Sequence, residues 1–257
     1  MTASMSGFDL LTVPFHVGAP VPVTLTKRSH HAVAPAAGTV RDPVAAVCEA
    51  VAQAVRASVA VGRVPLLFAG DCLAPLGVVA GLQRAGFTAP VVAWFDAHGD
   101  FNTPETSPSG YLPGMALAML VGRGDPRLAE GLDLRPVDEA HVVLADARDL
   151  DAPEADELAA SRVVHAQVAD VAAAVPGAWT APIYVHVDVD VVDPADMPGM
   201  GFPAAGGPSL AAMSEALSAL SATGRLCAVS FGMTFRADRV DAAVAVAATD
   251  RLTSALL

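Results

Sequence analysis

Basic residues are scarce in this chain, and their scarcity excludes a large class of partners. The 257 residues include 15 Lys plus Arg against 27 Asp plus Glu, which gives a formal net charge of -12. Proteins that bind nucleic acid neutralise phosphates with clustered Lys and Arg, and the sequence contains no basic stripe of that kind. We therefore expect no nucleic-acid partner.

Cysteines and long apolar runs are also few. The three cysteines, Cys48, Cys72 and Cys227, lie far apart and form no CxxC spacing, which argues against a disulfide framework or a zinc ribbon. No uncharged apolar run reaches the roughly 18–20 residues that a membrane span requires. Met1 to Leu11 lack the basic start of a secretory signal. These features predict no membrane partner and a cytoplasmic location.

The sequence does contain short apolar runs that alternate with Ala-rich helical segments. Strands that are apolar on both faces and joined by helices predict an α/β fold with a mainly parallel sheet covered on both sides. No repeat or long polar linker divides the chain, so we expect a single domain over residues 1–257. The predicted strands are Val64–Ala69, Val91–Phe95, His141–Ala145, Ile183–Val187 and Leu226–Phe231, and the predicted helices are Pro43–Ser58, Ala74–Ala85, Ala152–Ala160, Leu210–Thr223 and Arg239–Leu257.

Candidate metal ligands follow two of the predicted strands. Asp96, His98 and Asp100 are spaced two apart after one strand, and Asp188 and Asp190 repeat the spacing after another. If the backbone stays extended, the side chains of each group point to one side. Ligands of parallel sheets bind beyond the carboxyl ends of the strands, which is where these groups lie.

Four carboxylates at one edge of a hydrophobic sheet need compensating positive charge. Two divalent ions would supply it, and a ligand set of carboxylates with one imidazole suits Mn²⁺ or another fairly hard dication. A single Asp-x-Asp is more often a solvated turn or a helix cap. The joint pattern on two strands favours a binuclear site and predicts metal-assisted hydrolysis.

Three blocks of sequence resemble the ureohydrolase superfamily, the arginase and agmatinase group. They are Ala69–Cys72, Trp94–Asn102 and His186–Pro194, and the resemblance extends from about Val64 to Thr249. It implies a three-layer α/β/α sandwich and a single arginase-like catalytic domain. It also implies hydrolysis of a guanidine C–N bond by a hydroxide that bridges two Mn²⁺ ions.

The resemblance also assigns ligand roles. Asp96 and Asp188 would bridge the two metals, Asp100 would complete the first site, and His98 with Asp190 would complete the second. Asp100 is therefore a candidate catalytic residue as well as a ligand.

Cys72 stands where the family normally has His. A thiolate at this position would be a metal ligand, and the alternative is a small buried thiol beside the site. A thiolate would also make zinc or iron harder to exclude. We interpret Cys48 and Cys227 as core residues.

Other family positions bear on the substrate. Asn102 and Ser109 match residues that bind an amino-acid carboxylate, which favours a substrate with that group. Pro113 replaces the family histidine that is given a proton-shuttle role, and His186 is a candidate shuttle or a supporting group. Asp151 matches a residue that contacts the substrate α-amino group, with a helix N-cap as the alternative.

The remaining histidines have no clustered acidic partners in the sequence, and we interpret them as core or surface residues. They are His16, His30, His31, His141 and His165.

The expected guanidine pocket lacks a means of holding a cation. Met233 replaces a family carboxylate that pairs with the guanidinium, and Phe202 replaces a hydroxyl residue near the same group. A buried guanidinium without a counter-charge is costly, so L-arginine is expected to be a poor substrate. N-hydroxylation lowers guanidine basicity, which predicts N-hydroxy-L-arginine as substrate, with ornithine and hydroxyurea as products.

Within the family, these departures most resemble the hydroxyarginine hydrolases of D-cycloserine biosynthesis. The alternatives are hydrolysis of arginine, agmatine, guanidinobutyrate or formiminoglutamate, or a catalytically degenerate binding protein. The chain ends at Leu257, directly after the last predicted helix, without the tail that trimeric arginases place between subunits. A monomer, or an association different from that of the trimeric arginases, is therefore expected.

Overall fold

An eight-stranded parallel sheet forms the centre of the protein in a computed structural model that describes residues 7–21, 31–36, 42–175, 181–236 and 242–257. The strand order is β4-β1-β5-β10-β9-β6-β7-β8, and β2 with β3 forms a separate antiparallel pair. The strands are β1 Phe8–Val13, β2 Phe15–His16, β3 Ala19–Pro20, β4 His31–Ala32, β5 Val64–Ala69, β6 Val91–Asp96, β7 Val142–Asp146, β8 Val164–Ala166, β9 Ile183–Asp188 and β10 Leu226–Gly232.

Helices cover both faces of the sheet, which confirms the predicted three-layer α/β/α sandwich. The first five helices pack on one face, and the last three pack on the other. The helices are α1 Pro43–Ala60, α2 Ala74–Arg84, α3 Ala116–Leu120, α4 Arg127–Gly131, α5 Ala152–Ala159, α6 Val171–Ala174, α7 Leu210–Ser221 and α8 Ala242–Ser254. Short 3₁₀ turns occur at Leu112–Met115, Glu139–His141, Val168–Asp170 and Val189–Val191.

The five predicted strands are confirmed to within a residue at each end. Every residue of β5, β6 and β9 is buried, because helices cover both faces, and this explains their uninterrupted apolar sequences. The edge strands β4 and β8, and β1 next to β4, were not predicted, since they are short or interrupted by polar residues. Residues 239–241, at the start of the last predicted helix, lie outside the described residues.

The strand register places the acidic strand ends at one edge. Asp188 at the end of β9 pairs with Gly232, and Gly232 pairs with Ala69 at the end of β5. On the other side of β9, β6 ends at Asp96, which pairs with Asp146. The loops that follow these strands therefore meet above the middle of the sheet.

Helix α1 is long and apolar enough, by length and composition, to cross a membrane. It carries Glu49 and Arg56, and one face packs against α2 through Val51, Ala52 and Val55, which are completely buried. Packing against the rest of the fold therefore accounts for its hydropathy.

Helix α2 begins two residues after Cys72 and approaches α1 very closely. A Cβ added at Gly77 would lie 2.3 Å from the carbonyl oxygen of Cys48 and 2.8 Å from Cβ of Val51. A side chain at this position would have to push the helices apart, and would move the turn that carries Cys72.

We predict that Gly77→Ala lowers the free energy of unfolding by about 1–3 kcal/mol, because it overpacks this helix contact. The matched control is Gly131→Ala on α4, where an added Cβ meets nothing within 4 Å. That variant should unfold at the wild-type urea concentration or slightly above it. Equal midpoints for both variants in urea titrations would contradict the close packing.

Candidate metal centre

Each acidic strand end turns sharply after its first aspartate. Oδ1 of Asp96 accepts a hydrogen bond from the backbone N–H of His98 at 2.8 Å, and Oδ1 of Asp188 accepts one from the N–H of Asp190 at 2.9 Å. The expectation of extended backbone through these residues was wrong: β6 and β9 end at the first aspartates. An aspartate that binds the N–H two residues ahead favours a turn over continued strand.

These turns bring predicted ligands into two groups that share a residue. Ligand atoms of Cys72, Asp96 and Asp100 lie within 4.8 Å of one another. Ligand atoms of Asp96, His98 and Asp190 form a second such group. Asp96 therefore stands between the two groups, as expected of a bridging carboxylate.

Cys72 joins the last predicted ligand, Asp188, to the cluster. The Cys72 thiol donates to Oδ2 of Asp188 across 2.9 Å. A Cβ added at Gly232 would lie 2.8 Å from Sγ of Cys72, so β10 leaves room for the thiol only because it ends in glycine. Burial, together with the charges of Asp188 and Asp100, raises the pKa of the Cys72 thiol.

The buried carboxylates of the cluster repel one another. Burial and the charges of Asp96 and Asp188 raise the pKa of Asp100. Burial and the charge of Asp96 raise the pKa of Asp190 to about 6. Burial alone would lower the pKa of His98, but its hydrogen bonds to Asp190 and Asp96 outweigh burial and raise the pKa to about 12. The protein side chains alone do not neutralise this charge.

The donor set fits two divalent cations. Oδ2 of Asp100 is buried and has no hydrogen-bond partner among the described residues, which is the state expected of a ligand atom. Carboxylate and imidazole donors suit Mn²⁺, and the Cys72 sulfur also suits zinc or iron. Each group of three ligand atoms would hold one ion, with Asp96 shared between them.

A cavity of about 710 Å³ opens directly over the cluster. Asn102, Ser109 and Asp151, the predicted substrate-binding residues, all line it. Nδ2 of Asn102 donates to Oδ2 of Asp151 at 3.1 Å, so these two side chains form one polar patch. Asp151 also occupies the N-cap position of α5, so both interpretations of this residue are compatible with the structure.

Glu154 lines the same cavity and was missed by the sequence analysis. It is buried, and its Oε1 accepts a hydrogen bond from the N–H of Phe101 at 2.8 Å, directly after Asp100. Burial raises its pKa. The capping-box spacing from Asp151 to Glu154 is the local signal that could have found it.

Uncharged side chains form part of the wall near the ligands, alongside the carboxylates of Asp149 and Glu154. Phe202 and Pro113 line the cavity, and Phe202 meets the edge of the His98 ring at a centroid distance of 6.4 Å. Met233, expected in this wall, is instead buried in the core, because it follows the last residue of β10 on the opposite face. Thr234, one residue later, lines the cavity in its place.

His186 lies beneath the cluster. It has no exposed area, and its ring packs against Trp94 at a centroid distance of 4.1 Å. Nδ1 is 2.8 Å from Oγ of Ser230, and burial lowers the pKa of the imidazole to about 3. Because it does not reach the cavity wall, the geometry favours a supporting role over the predicted proton shuttle.

Comparison with known proteins identifies the family of this chain. A sequence model of the arginase family matches residues 8–232. The chain belongs to the arginase family. It is 36% identical to the arginase of Bacillus caldovelox over 176 residues, which are 62% of this chain and 57% of that protein. It is 34% identical to the arginase of Brevibacillus brevis over 207 residues, which are 74% of this chain and 67% of that protein.

A solved structure shows the same fold over nearly the whole chain. The arginase from Bacillus cereus superposes with a TM-score of 0.85 at 24% identity, covering 98% of each chain. In sequence, the chain spans 57% of the length of the Bacillus caldovelox relative.

We predict that Asp96→Asn abolishes binding of both metals, because Asp96 belongs to both ligand groups. Mn²⁺ per chain, measured by elemental analysis after dialysis, should fall from about two to well under one. Asp156→Asn, on the exposed surface of α5, is the control and should keep two. Two tightly bound ions in Asp96→Asn would contradict the shared-ligand geometry.

Cys72→Ala should remove one metal while leaving the other. The matched control is Cys227→Ala, which removes an equally buried thiol outside the ligand groups. With Co²⁺ as probe, wild type and Cys227→Ala should show sulfur-to-metal charge-transfer absorption, and Cys72→Ala should not. The same absorption in Cys72→Ala would show that the thiol is not a ligand.

Proposed function

We propose that this protein is a two-manganese hydrolase that cleaves the guanidine C–N bond of N-hydroxy-L-arginine, giving ornithine and hydroxyurea. One observation carries the proposal: a single cavity joins the ligand cluster to the polar side chains of Asn102, Ser109 and Asp151, and Phe202 also lines it. The family relationship supports the reaction class, because members of the family hydrolyse C–N bonds of linear amidines.

The cluster supports hydrolysis. Two bound Mn²⁺ ions would supply positive charge that lowers the pKa of water and polarises the substrate carbon. The side chains that would hold them are Cys72, Asp96, His98, Asp100, Asp188 and Asp190. Glu154 accepts the N–H of Phe101 and holds the loop that carries Asp100 in place.

The far end of the cavity suits an amino acid. Asn102 and Ser109 offer polar groups for a carboxylate, and Asp151 offers a negative charge for the α-amino group. Agmatine has no carboxylate, so Asn102 and Ser109 would have no substrate group to bind. This end of the cavity therefore favours an amino-acid substrate over a simple guanidine.

The end beside the metal ligands disfavours a guanidinium. One more carboxylate, Asp149, lies beside His98, and its Oδ2 is 4.0 Å from Nε2 of the His98 ring. The Asp149 side chain is 67% exposed to solvent. Water screens such a group, so it gives little compensation to a buried cation. Phe202 and Pro113 supply none, and the two oxygens of Glu154 already accept the N–H groups of Phe101 and Asp151. A guanidine whose basicity is lowered by N-hydroxylation enters this environment neutral and avoids the desolvation penalty.

The direct test is a comparison of substrates with the Mn²⁺-loaded protein. We predict that kcat/KM for N-hydroxy-L-arginine, measured as ornithine released, exceeds that for L-arginine by more than about tenfold, corresponding to at least about 1.4 kcal/mol. Agmatine should be poorer still. Equal or reversed preference between the two arginines would remove the substrate assignment and leave the family unchanged.

Turnover of only guanidinobutyrate, agmatine or formiminoglutamate would point to another hydrolase of the family. No turnover of any of these compounds by protein with two bound Mn²⁺ would favour a binding protein. A place in D-cycloserine biosynthesis, a monomeric state and a cytoplasmic location stay predictions.

A further inference from the structure

Tyr111 places a hydroxyl in the cavity wall beside the metal ligands. It lines the same cavity as Cys72 and Asp188, and its ring packs against Phe202 at a centroid distance of 5.0 Å. Burial and the nearby charges of Cys72 and Asp71 raise the pKa of the phenol, so it keeps its proton. Tyr111 is therefore a neutral polar group in an otherwise largely apolar stretch of wall.

His16 determines which way the phenol proton points. Nδ1 of His16 lies 3.0 Å from the carbonyl oxygen of Gly70. A carbonyl only accepts, so Nδ1 carries the hydrogen, and in this tautomer Nε2 is the acceptor nitrogen. Nε2 lies 3.3 Å from the Tyr111 hydroxyl and can accept its hydrogen. Thr234, a second hydrogen-bonding neighbour of the phenol, directs its own hydroxyl hydrogen to the Gly70 carbonyl. The phenol oxygen is left with lone pairs that can accept from a ligand.

The backbone next to His16 is hydrogen-bonded to the turn that carries Cys72. The N–H of Val17 donates to Oδ2 of Asp71 at 2.6 Å, and Val17 holds a φ of 46°. Valine rarely adopts positive φ, so this contact maintains an unfavourable backbone conformation. Thr234 adds a second hydrogen bond to the Gly70 carbonyl, at 3.2 Å. The histidine and the ligand turn therefore form one connected unit.

A neutral acceptor discriminates between the two arginines. It satisfies the O–H of an uncharged hydroxyguanidine, but it does not supply the negative charge that a buried guanidinium needs. A site that offers a hydrogen bond to a substrate hydroxyl penalises an analogue that lacks it, because the polar group then loses its partner. Tyr111 has the chemistry of such a site.

We propose that Tyr111 is a specificity-determining residue that accepts a hydrogen bond from the hydroxyl of N-hydroxy-L-arginine, and that His16 is the positioning residue that keeps Tyr111 in this accepting role. The inference rests on the proposed function and deepens it. His16 is half-buried and contacts the cavity wall through Tyr111, a role that its sequence neighbourhood did not indicate.

The first test is Tyr111→Phe, which removes the oxygen and keeps the ring against Phe202. The value of kcat/KM for N-hydroxy-L-arginine should fall about tenfold, as expected for loss of one hydrogen bond to a substrate hydroxyl. The value for L-arginine should change much less, so the ratio of the two falls. Mn²⁺ content and melting temperature should match wild type, which separates this effect from loss of the metal site.

The second test compares two variants of His16. His16→Gln keeps a side-chain carbonyl that can accept from Tyr111, and His16→Phe keeps only the ring. The substrate ratio should fall in His16→Phe and return toward wild type in His16→Gln. Equal ratios in these two variants would overturn the positioning role.

The remaining outcomes separate this inference from the proposed function. If wild type prefers N-hydroxy-L-arginine and Tyr111→Phe loses the same factor on both substrates, the specificity role is overturned and the proposed function stands. If wild type shows no such preference, the substrate assignment fails and this inference fails with it. If His16→Phe does not fold, the substrate ratio of Tyr111→Phe still decides.

Discussion

Repulsion among buried carboxylates is the constraint on which this structure depends. Asp96, Asp100, Asp188 and Asp190 are almost completely removed from solvent at the edge of an apolar sheet. Burial and mutual repulsion raise the pKa values of the last three, so the apoprotein is electrostatically unfavourable at neutral pH. Bound cations relieve this cost. The fold maintains the arrangement because its core, rather than the site, provides the stability.

The sheet and the glycines around it build the site geometry. Parallel strands end together, so the loops after β5, β6, β9 and β10 converge. Gly232 leaves the space that the Cys72 sulfur occupies. A Cβ at Gly99 would lie 2.6 Å from Oε1 of Glu154, so glycine is needed there too. Close approaches of this kind help to set the positions of the ligands.

The sequence predicted what depends on local pattern. The buried strands could be predicted because uninterrupted apolar runs are typical of few structures. The candidate ligands Asp96, His98 and Asp100 could be predicted because repeated ligand types at a fixed spacing are also typical of few structures. The turns at Asp96 and Asp188 were mistaken for strand, since their side-chain hydrogen bonds to the N–H two residues ahead leave no periodic signal. The side-chain spacing was right, but the conformation that joins the ligands was not.

The residues that were missed depend on tertiary contacts. The contact of His16 with Tyr111 spans 95 positions and exists only because the β2–β3 hairpin packs beside the ligand turn. Met233 and Thr234 differ by one position along the chain, and only the end of β10 decides which of them faces the cavity. Position along a motif therefore predicted which acidic side chains converge better than it predicted the cavity wall.

The most direct measurement of the central claim is a crystal structure of Mn²⁺-loaded protein with anomalous diffraction at the manganese edge. The account predicts two peaks per chain about 3.5–4 Å apart, as in other binuclear sites, with oxygens of Asp96 contacting both and Cys72 sulfur contacting one. A single peak, or two peaks that do not share Asp96, would contradict it.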